Sequence, residues 1–325
     1  MATSGTIGLT RINTGKLLEM ATRRCGLSPQ ILTPELIETS LQNLFMLIMS
    51  LSNRGLDLWC IDNKLIPLIG GQKDYVLPPG SLDVLNLLQV KPTRIDYQET
   101  YGTNDITVEF ADATHVNLVG VKFTELPTAE LIVQTSDDGI VWTDVTSFNE
   151  FNDVLTYTWV RLPLTSNSKF YRITSTNIGN PVDLFLSNTQ REIPITPFNR
   201  DDYANQPAKN FQSLTTTNYY FQKLVTPQIT LWPVPENDQS YLSLYRYRQI
   251  QDIGSMTDDL EIPTRWYEAI TWHLSARLAF ELPGVEPDRR KEVVAMANSM
   301  LIEVEAGETD SSPTYFAPNI RCYTR

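Results

Sequence analysis

The sequence is poor in the residues that build metal and redox sites. Its 325 residues include only three cysteines and two histidines. The cysteines, Cys25, Cys60 and Cys322, lie far apart, and no C-x-x-C pair occurs. Zinc sites and disulfide frameworks need such residues at close, repeated spacings. We therefore expect free thiols, no metal site and no cofactor, a pattern typical of proteins made in a reducing cytoplasm.

Long apolar runs and an excess of basic residues are also missing. No run approaches 18 apolar residues, and the first residues do not combine a basic segment with an apolar core, so neither a membrane span nor a secretion signal is predicted. Lys and Arg number 26 against 38 Asp and Glu, a net charge of −12, which argues against a general binder of nucleic acid or anionic lipid. The segment from Glu99 to Glu192 holds 13 acidic and 5 basic residues and is the most acidic part.

Catalytic motifs are lacking as well. The sequence contains no G-x-S-x-G, no P-loop and no G-x-G-x-x-G motif, and His115 and His273 stand apart from any nucleophile. Adjacent carboxylates such as Asp201 and Asp202 have turn residues beside them and are interpreted as solvated loops. Without a nucleophile, a base and an orienting group, we expect that the protein is not an enzyme.

Helical patterns occur at both ends of the chain. One helix is predicted from Thr14 to Cys25, and a second begins at Thr33-Pro34, where a capping side chain precedes a proline. Two more are predicted near the other end, beginning at Pro263-Thr264 and at Pro287 and ending near Gly307. The apolar stripe of the second helix is Ile37, Leu41, Leu44, Ile48 and Leu51.

The middle of the chain is strand-like. From Leu58 to Pro263 the sequence shows short alternating runs separated by turn residues, as in AELIVQTS, IVWTDV and FYRITS, and this pattern favours an antiparallel sandwich. Asp138-Gly139 lies between two such runs and predicts a tight two-residue hairpin rather than a calcium loop.

These patterns predict an α+β protein of three parts. Residues 1–95 and 196–306 form a body, which is a four-helix bundle built from both chain ends plus a small β region. Residues 96–195 form an inserted antiparallel β-sandwich, and residues 307–325 form a C-terminal arm.

The body resembles the head-to-tail adaptor proteins, or tail accessory factors, of short-tailed bacteriophages. The resemblance rests on QITLWPVPENDQSYLSLYRYRQIQDI, on the helix start PTRWYEAI with HLSARLAFELPG after it, and on Trp59 following Gly55. It covers roughly residues 12–95 and 196–306.

The inserted section resembles the discoidin-type (F5/8 type C) jelly-roll sandwich. AELIVQTSDDGIVWTDV, YTWVRLPL and KFYRITSTN carry this similarity. Discoidin domains often bind glycans, so the alternative function is a carbohydrate-binding adhesin or fibre-attachment module. A surface site for a glycan would use Trp142, Tyr157 and Trp159, which would then have to be exposed.

The adaptor resemblance implies a structural virion protein. It implies a homo-oligomeric ring of about twelve subunits that binds the portal protein, extends the DNA channel and offers a platform for tail nozzle or fibre proteins. Duplex DNA would be passing cargo, the ring would sit in the neck and tail of the virion, and assembly would take place in the cytoplasm of the host bacterium. The arm would bind the portal through Tyr315, Phe316, Ile320 and Tyr323.

Overall fold

The protein folds into two compact units. The computed structural model describes residues 12–53, 60–163, 167–251 and 254–307. One unit is drawn from Met1–Cys60 together with Gln249–Arg325, and the other is Ile61–Arg248. The first is helical, and the second contains all seventeen named strands. The β unit is therefore inserted in the sequence between two halves of a helical unit.

The described residues form five α-helices. Four belong to the helical unit, and one short helix belongs to the β unit. No helix among the described residues is both long enough and apolar enough to cross a lipid bilayer. The helices are α1 (Thr14–Arg24), α2 (Pro34–Ser52), α3 (Arg200–Ala204), α4 (Tyr267–Glu281) and α5 (Pro287–Gly307).

The start of α2 follows the sequence signal. The Thr33 hydroxyl accepts a hydrogen bond of 3.4 Å from the N–H of Leu36, and Pro34 occupies the first helical position. These contacts satisfy or remove N–H groups that a helix start leaves unpaired. The predicted stripe is buried at Leu44, Ile48 and Leu51 and half-buried at Ile37 and Leu41.

Helix α4 is the centre of the helical unit, and α1, α2 and α5 each pack against it. The two chain ends are joined by long-range hydrogen bonds: the Thr14 hydroxyl donates to the carbonyl of Asp258 at 2.9 Å, and Asn43 Nδ2 donates to Glu281 Oε2 at 2.7 Å. Segments from both ends of the described chain therefore share one body. The finer prediction of a four-helix bundle is not clearly met, because the three outer helices are arranged around α4.

The described residues of the β unit form four sheets. Their strands are β1 (Ile61–Pro67), β2 (Asp74–Val76), β3 (Ser81–Arg94), β4 (Gln98–Tyr101), β5 (Asp105–Thr114), β6 (Leu118–Glu125), β7 (Leu131–Ser136), β8 (Thr143–Phe148), β9 (Thr158–Arg161), β10 (Ser168–Thr174), β11 (Asn180–Pro194), β12 (Thr196–Phe198), β13 (Gln212–Ser213), β14 (Asn218–Gln222), β15 (Gln228–Trp232), β16 (Val234–Pro235) and β17 (Tyr241–Arg248).

The largest sheet is six-stranded and strongly curled. Its order is β1-β17-β3-β11-β6-β9, and every neighbouring pair is antiparallel. Three strands separate β17 from β9, yet the rings of Tyr241 and Trp159 are only 5.4 Å apart. The edge strands β1 and β9 also contact each other. The sheet therefore has a concave face that holds its own apolar cluster, which includes Tyr157, Trp159 and Phe185.

Two other sheets cover the opposite, convex face. The five-stranded sheet β4-β5-β10-β7-β8 packs on β6 and β11 around Phe110, Val121 and Leu184. The four-stranded sheet β12-β14-β15-β2 packs on β3 and β17 around Leu87 and Leu242. The first of these pairs is an antiparallel β-sandwich, as the sequence predicts.

The predicted limits of the sandwich require correction. Residues 96–195 do not form a separate domain, because β11 pairs with β6 on one side and with β3 on the other. Backbone hydrogen bonds continue from there to β17 and β1, so the sheet crosses both predicted boundaries. A division at 95 and 195 would leave the long edges of β3 and β11 unpaired. The boundaries lie instead at Ile61 and Arg248.

Candidate functional site

Two of the three aromatic residues predicted for a surface site lie inside the β unit. Tyr157 is 2% exposed and Trp159 is 5% exposed. Their ring centroids are 4.8 Å apart, and Trp159 lies 5.3 Å from Phe185 on the concave face of the six-stranded sheet. They form core contacts there, because the curled sheet surrounds them. Neither ring is available to stack on a sugar, and this part of the prediction is wrong.

A charged cluster lies beside this aromatic core. The Tyr157 hydroxyl donates to the Asp183 carboxylate, which also accepts a 2.5 Å hydrogen bond from Arg94 Nη2. Lys122 Nζ lies 4.4 Å above the Tyr157 ring and pairs with Asp238. Burial, and then the Asp183 carboxylate, raise the pKa of Tyr157 far above its usual value. The phenol is therefore a neutral hydrogen-bond donor in a paired network, which indicates a structural role.

Trp142 is the predicted aromatic that remains partly accessible. It is the last residue of the β7–β8 loop and is half-buried. The Arg172 guanidinium lies 4.1 Å from its ring centroid. Arg172 donates through Nε and Nη2 to Gln134 Oε1 at 2.9 and 2.6 Å, and Gln134 Nε2 donates to Asp144 Oδ1 at 2.6 Å. These four residues form a polar row across β10, β7 and β8, which we call the Trp142 row.

The Trp142 row lies on the outer side of the five-stranded sheet. Its residues alternate with Val133 and Ile173, which belong to the sandwich core. One face of an aromatic ring, a guanidinium, an amide and a carboxylate are thus placed together on a surface. Such a set can stack on an apolar ring face and exchange hydrogen bonds with hydroxyl groups. Only Trp142 of this row was singled out from the sequence, since Arg172, Gln134 and Asp144 meet through strand register.

The β7–β8 loop borders this row. The hairpin predicted from Asp138-Gly139 is present, but the tight two-residue turn is not: the loop spans 137–142, and only Gly139 has a positive φ, of 73°. Asp138 Oδ1 accepts hydrogen bonds from the N–H groups of Ile140 and Val141 at 2.8 and 2.9 Å and from the Ser136 hydroxyl at 2.9 Å. These bonds lower the pKa of Asp138, and they occupy its Oδ1 with partners inside the loop and at the end of β7.

A polar depression of about 310 Å³ lies at this loop. It is lined by side chains of β7, β8 and β10 and of the loop itself. Because Asp138 is already bonded within its own loop, Asp137 is the carboxylate with the greater freedom to meet a ligand. The lining residues are Thr135, Ser136, Asp137, Asp138, Val141, Thr143 and Ser168.

Other candidate groups are not brought together. Within the described ranges, no group of three or more His, Cys, Asp or Glu side chains is placed to hold a metal ion. Asp201 and Asp202 lie in the first turn of α3, and the Asp258 carboxylate accepts hydrogen bonds from Ser255 and Gly254 in its own turn. The four residues assigned to the arm, Tyr315, Phe316, Ile320 and Tyr323, lie outside the described residues.

Among known proteins, the chain is similar to solved structures only. No protein-family model and no curated protein matches the chain. A family 32 carbohydrate-binding module of AlyQ, described in complex with 4,5-unsaturated mannuronic acid, is 15% identical and covers 34% of this chain and 98% of its own, with a TM-score of 0.24. A module of a Clostridium perfringens protein, in complex with GalNAc-β-1,3-galactose, is 11% identical over 41% of this chain and 99% of its own, with a TM-score of 0.23.

A third module, from a family 31 glycoside hydrolase of Clostridium perfringens, is 16% identical and covers 39% of this chain and 94% of its own, with a TM-score of 0.20. These three solved structures are carbohydrate-binding modules. At these identities and TM-scores the similarity carries no argument about what this chain binds.

Proposed function

We propose that the protein is a structural, non-enzymatic virion subunit, namely a head-to-tail adaptor of a short-tailed phage. The observation that carries the proposal is the helical unit, in which α1 and α2 from one chain end pack on α4 from the other. Such a body holds both chain ends together and leaves the inserted β unit free to differ in size. The adaptor-like motifs PTRWYEAI and QITLWPVP support it. The first runs from the 3-10 helix Thr264–Trp266 into the first turn of α4, and the second lies on the strands β15 and β16.

The charge of the chain suits a DNA conduit. Each phosphate that a basic side chain neutralises adds affinity through the release of counterions, so a channel through which duplex DNA slides should hold few phosphates. The net charge of −12 suits a channel through which DNA passes and is not held. In this proposal DNA is cargo, and the lasting partners are the portal protein, neighbouring copies in a ring of about twelve, and tail nozzle or fibre proteins.

The test is assembly on a portal. The full chain is mixed with the portal protein encoded in the same phage genome, and the masses of the complexes are measured by mass photometry. We expect a ring of many copies on each portal. A chain that stays monomeric and unattached would rule the adaptor function out. A variant that lacks Ser312–Arg325 tests the arm. We expect this variant to lose attachment to the portal protein while its circular dichroism spectrum stays the same as that of the full chain.

A second candidate function is carbohydrate binding by the β unit, and the Trp142 row is the observation that favours it. The test is a glycan array with the full chain, followed by titration calorimetry on any glycan retained. We expect Trp142→Ala to abolish binding, because an aromatic platform supplies much of the contact area for a sugar ring. Ile140→Ala is the matched control, since Ile140 is an exposed apolar residue of the same loop. Equal loss in both variants, or no retained glycan, would reject this candidate.

A further inference from the structure

A groove of about 350 Å³ lies between α1 and α4 in the helical unit. Arg24 is fixed at this groove: its guanidinium lies 4.4 Å from the ring centroid of Trp272, and Nη1 donates to the carbonyl of Glu268 at 3.2 Å. The apolar side chain of Met20 is exposed beside it. The groove thus offers an apolar floor beside the positively charged guanidinium of Arg24, which is fixed in position. Its lining includes Ile12, Met20, Arg24, Tyr267, Glu268 and Thr271.

The outer face of α2 has the complementary character. Phe45 is 39% exposed and Met46 is 52% exposed, although the opposite face of the same helix is buried against the core of the helical unit. Glu35 and Glu38 lie exposed near the start of this helix. The segment Pro34–Ser52 contains no Lys or Arg. Exposed large apolar side chains beside charges of one sign are typical of a contact surface.

The charges of the two surfaces are opposite. Helix α1 carries Lys16, Arg23 and Arg24 against the single acid Glu19, a net charge of +2. Glu268 of α4 also lines the groove and lies 3.8 Å from Arg24 Nη2, which lowers the net charge of this surface to +1. Helix α2 carries two Glu residues, a net charge of −2. The ion pair of Arg23 with Glu19 has a length of 3.9 Å and both side chains are exposed, so it is weak and leaves Arg23 able to meet a second acid.

We propose that the groove between α1 and α4 receives the outer face of α2 from a second copy of this chain. Phe45 and Met46 would cover Met20 and the groove, and Glu35 and Glu38 would meet Lys16 and Arg23. The two surfaces differ, so the contact is head-to-tail and repeats from copy to copy, which closes into a ring when the rotation allows it. This inference rests on the proposed adaptor function and names the surfaces that would build its ring.

The first experiment is directed cross-linking in the full chain. Met20→Cys and Met46→Cys are made separately, each with Cys322→Ser; the native Cys25 and Cys60 are buried. The two variants are mixed at high concentration and treated with a short bismaleimide. We expect a cross-linked dimer in the mixture and none in either variant alone. The matched control pairs Met20→Cys with Ile302→Cys, an exposed position on α5 that belongs to neither surface.

The second experiment reverses the charges. In the Met46→Cys chain, Glu35 and Glu38 are changed to Lys; in the Met20→Cys chain, Lys16 and Arg23 are changed to Glu. Either change alone should lower the yield of cross-linked dimer about tenfold, because like charges then face each other. Mixing the two changed chains restores opposite charges at every contact between unlike chains, which is the contact that the cross-link reports, and should restore the yield. Circular dichroism checks that each variant is folded.

The outcomes separate the inference from the function on which it rests. Cross-linking of one variant with itself would show a symmetric contact and overturn the proposal, as would equal yields with the Ile302→Cys control. If no cross-link forms although rings assemble on the portal protein, the adaptor function stands and this interface is wrong. If neither cross-links nor rings form, both the proposed interface and the adaptor function are wrong.

Discussion

Gly120 allows Trp159 to lie against the concave face of the six-stranded sheet. A Cβ at Gly120 would lie 2.4 Å from Cζ3 and 2.6 Å from Cε3 of the Trp159 ring. The ring is itself held by Phe185 and Tyr241, so it has little space in which to move. We expect Gly120→Ala to lower the free energy of unfolding by about 1 to 3 kcal/mol, the usual cost of overpacking a core. Urea unfolding followed by circular dichroism measures it.

The control for this prediction replaces the Trp159 ring with a smaller side chain. In a Trp159→Leu background the added methyl group at Gly120 has room, so the further effect of Gly120→Ala should nearly vanish. An equal cost in both backgrounds would show that backbone strain, and not the ring contact, explains the loss.

The buried thiol of Cys25 gives the helical unit a dependence on alkaline pH. Burial raises the pKa of Cys25 to about 11, against about 8.5 for a thiol in an unfolded chain. Since the folded pKa is the higher, the contribution of the protonated thiol to stability is complete below about pH 8.5 and is lost as the pH rises towards 11. The free energy of unfolding should therefore fall more between about pH 8 and pH 10.5 for wild type than for Cys25→Ala.

Urea unfolding at both pH values tests this difference. The cavity left by Cys25→Ala lowers stability equally at both, so only the change with pH is compared. Tyr75, whose pKa burial raises to about 12, is present in both proteins and does not affect the comparison. Parallel pH dependences would contradict the prediction.

Single residues also show where sequence reasoning fails. Trp142 and Trp159 stand in similar alternating runs, yet the first is half-buried on a sheet surface and the second is core. Alternation tells which residues share a face of a strand. It does not tell that a sheet curls, and curling is what turned the face of Trp159 into an interior. The burial of Tyr157 follows from the same curvature.

At the scale of elements, a buried ion pair joins β1 to β17 and to the turn before β3. Arg246, 4% exposed, donates to both carboxylate oxygens of Asp62 at 2.7 and 3.0 Å, and to the carbonyl of Pro78 and the hydroxyl of Ser81 at 2.8 and 2.7 Å. We expect Asp62→Asn to lower the free energy of unfolding by about 3 kcal/mol, because it leaves a buried guanidinium without its counter-charge. Thermal unfolding measures the loss.

An exposed pair of the same unit is the matched control. Lys223 and Asp83 are 3.2 Å apart with both side chains mostly in water. Lys223→Ala should change stability by less than about 0.5 kcal/mol, because solvent screens an exposed pair. If both substitutions cost the same, burial of Arg246 does not determine the effect.

The elements themselves were largely predictable, and their partners were not. The cap at Thr33 and the stripe through Leu44 and Ile48 marked α2 because both signals are local. The pairing of β3 with β11 joins residues about a hundred positions apart, and nothing in either strand specifies the other. The loop after β7 was predicted too short because Asp138 bonds to N–H groups beyond Gly139 and thereby stabilises a wider turn.

At the scale of the whole molecule, the limits of the β unit are set by its own sheet. Ile61, at its start, pairs with Tyr247, near its end, so the chain enters and leaves the unit on neighbouring strands. Closely spaced ends are what an inserted domain requires, since its host needs only to join two nearby points. Three apolar clusters among the described residues are also formed entirely within Ile61–Arg248.

The last prediction concerns independent folding. Residues 61–248 produced alone should unfold cooperatively, with the thermal midpoint that the β unit shows in the full chain, because no strand loses a partner. Residues 96–195 are the control: this fragment keeps the sandwich core but loses β1, β3 and β17, so Trp159 loses Tyr241 and β11 becomes a bare edge. We expect it to aggregate or to lack a sharp transition. Calorimetry on both decides, and a control fragment as stable as 61–248 would mean that the curled sheet does not act as one unit.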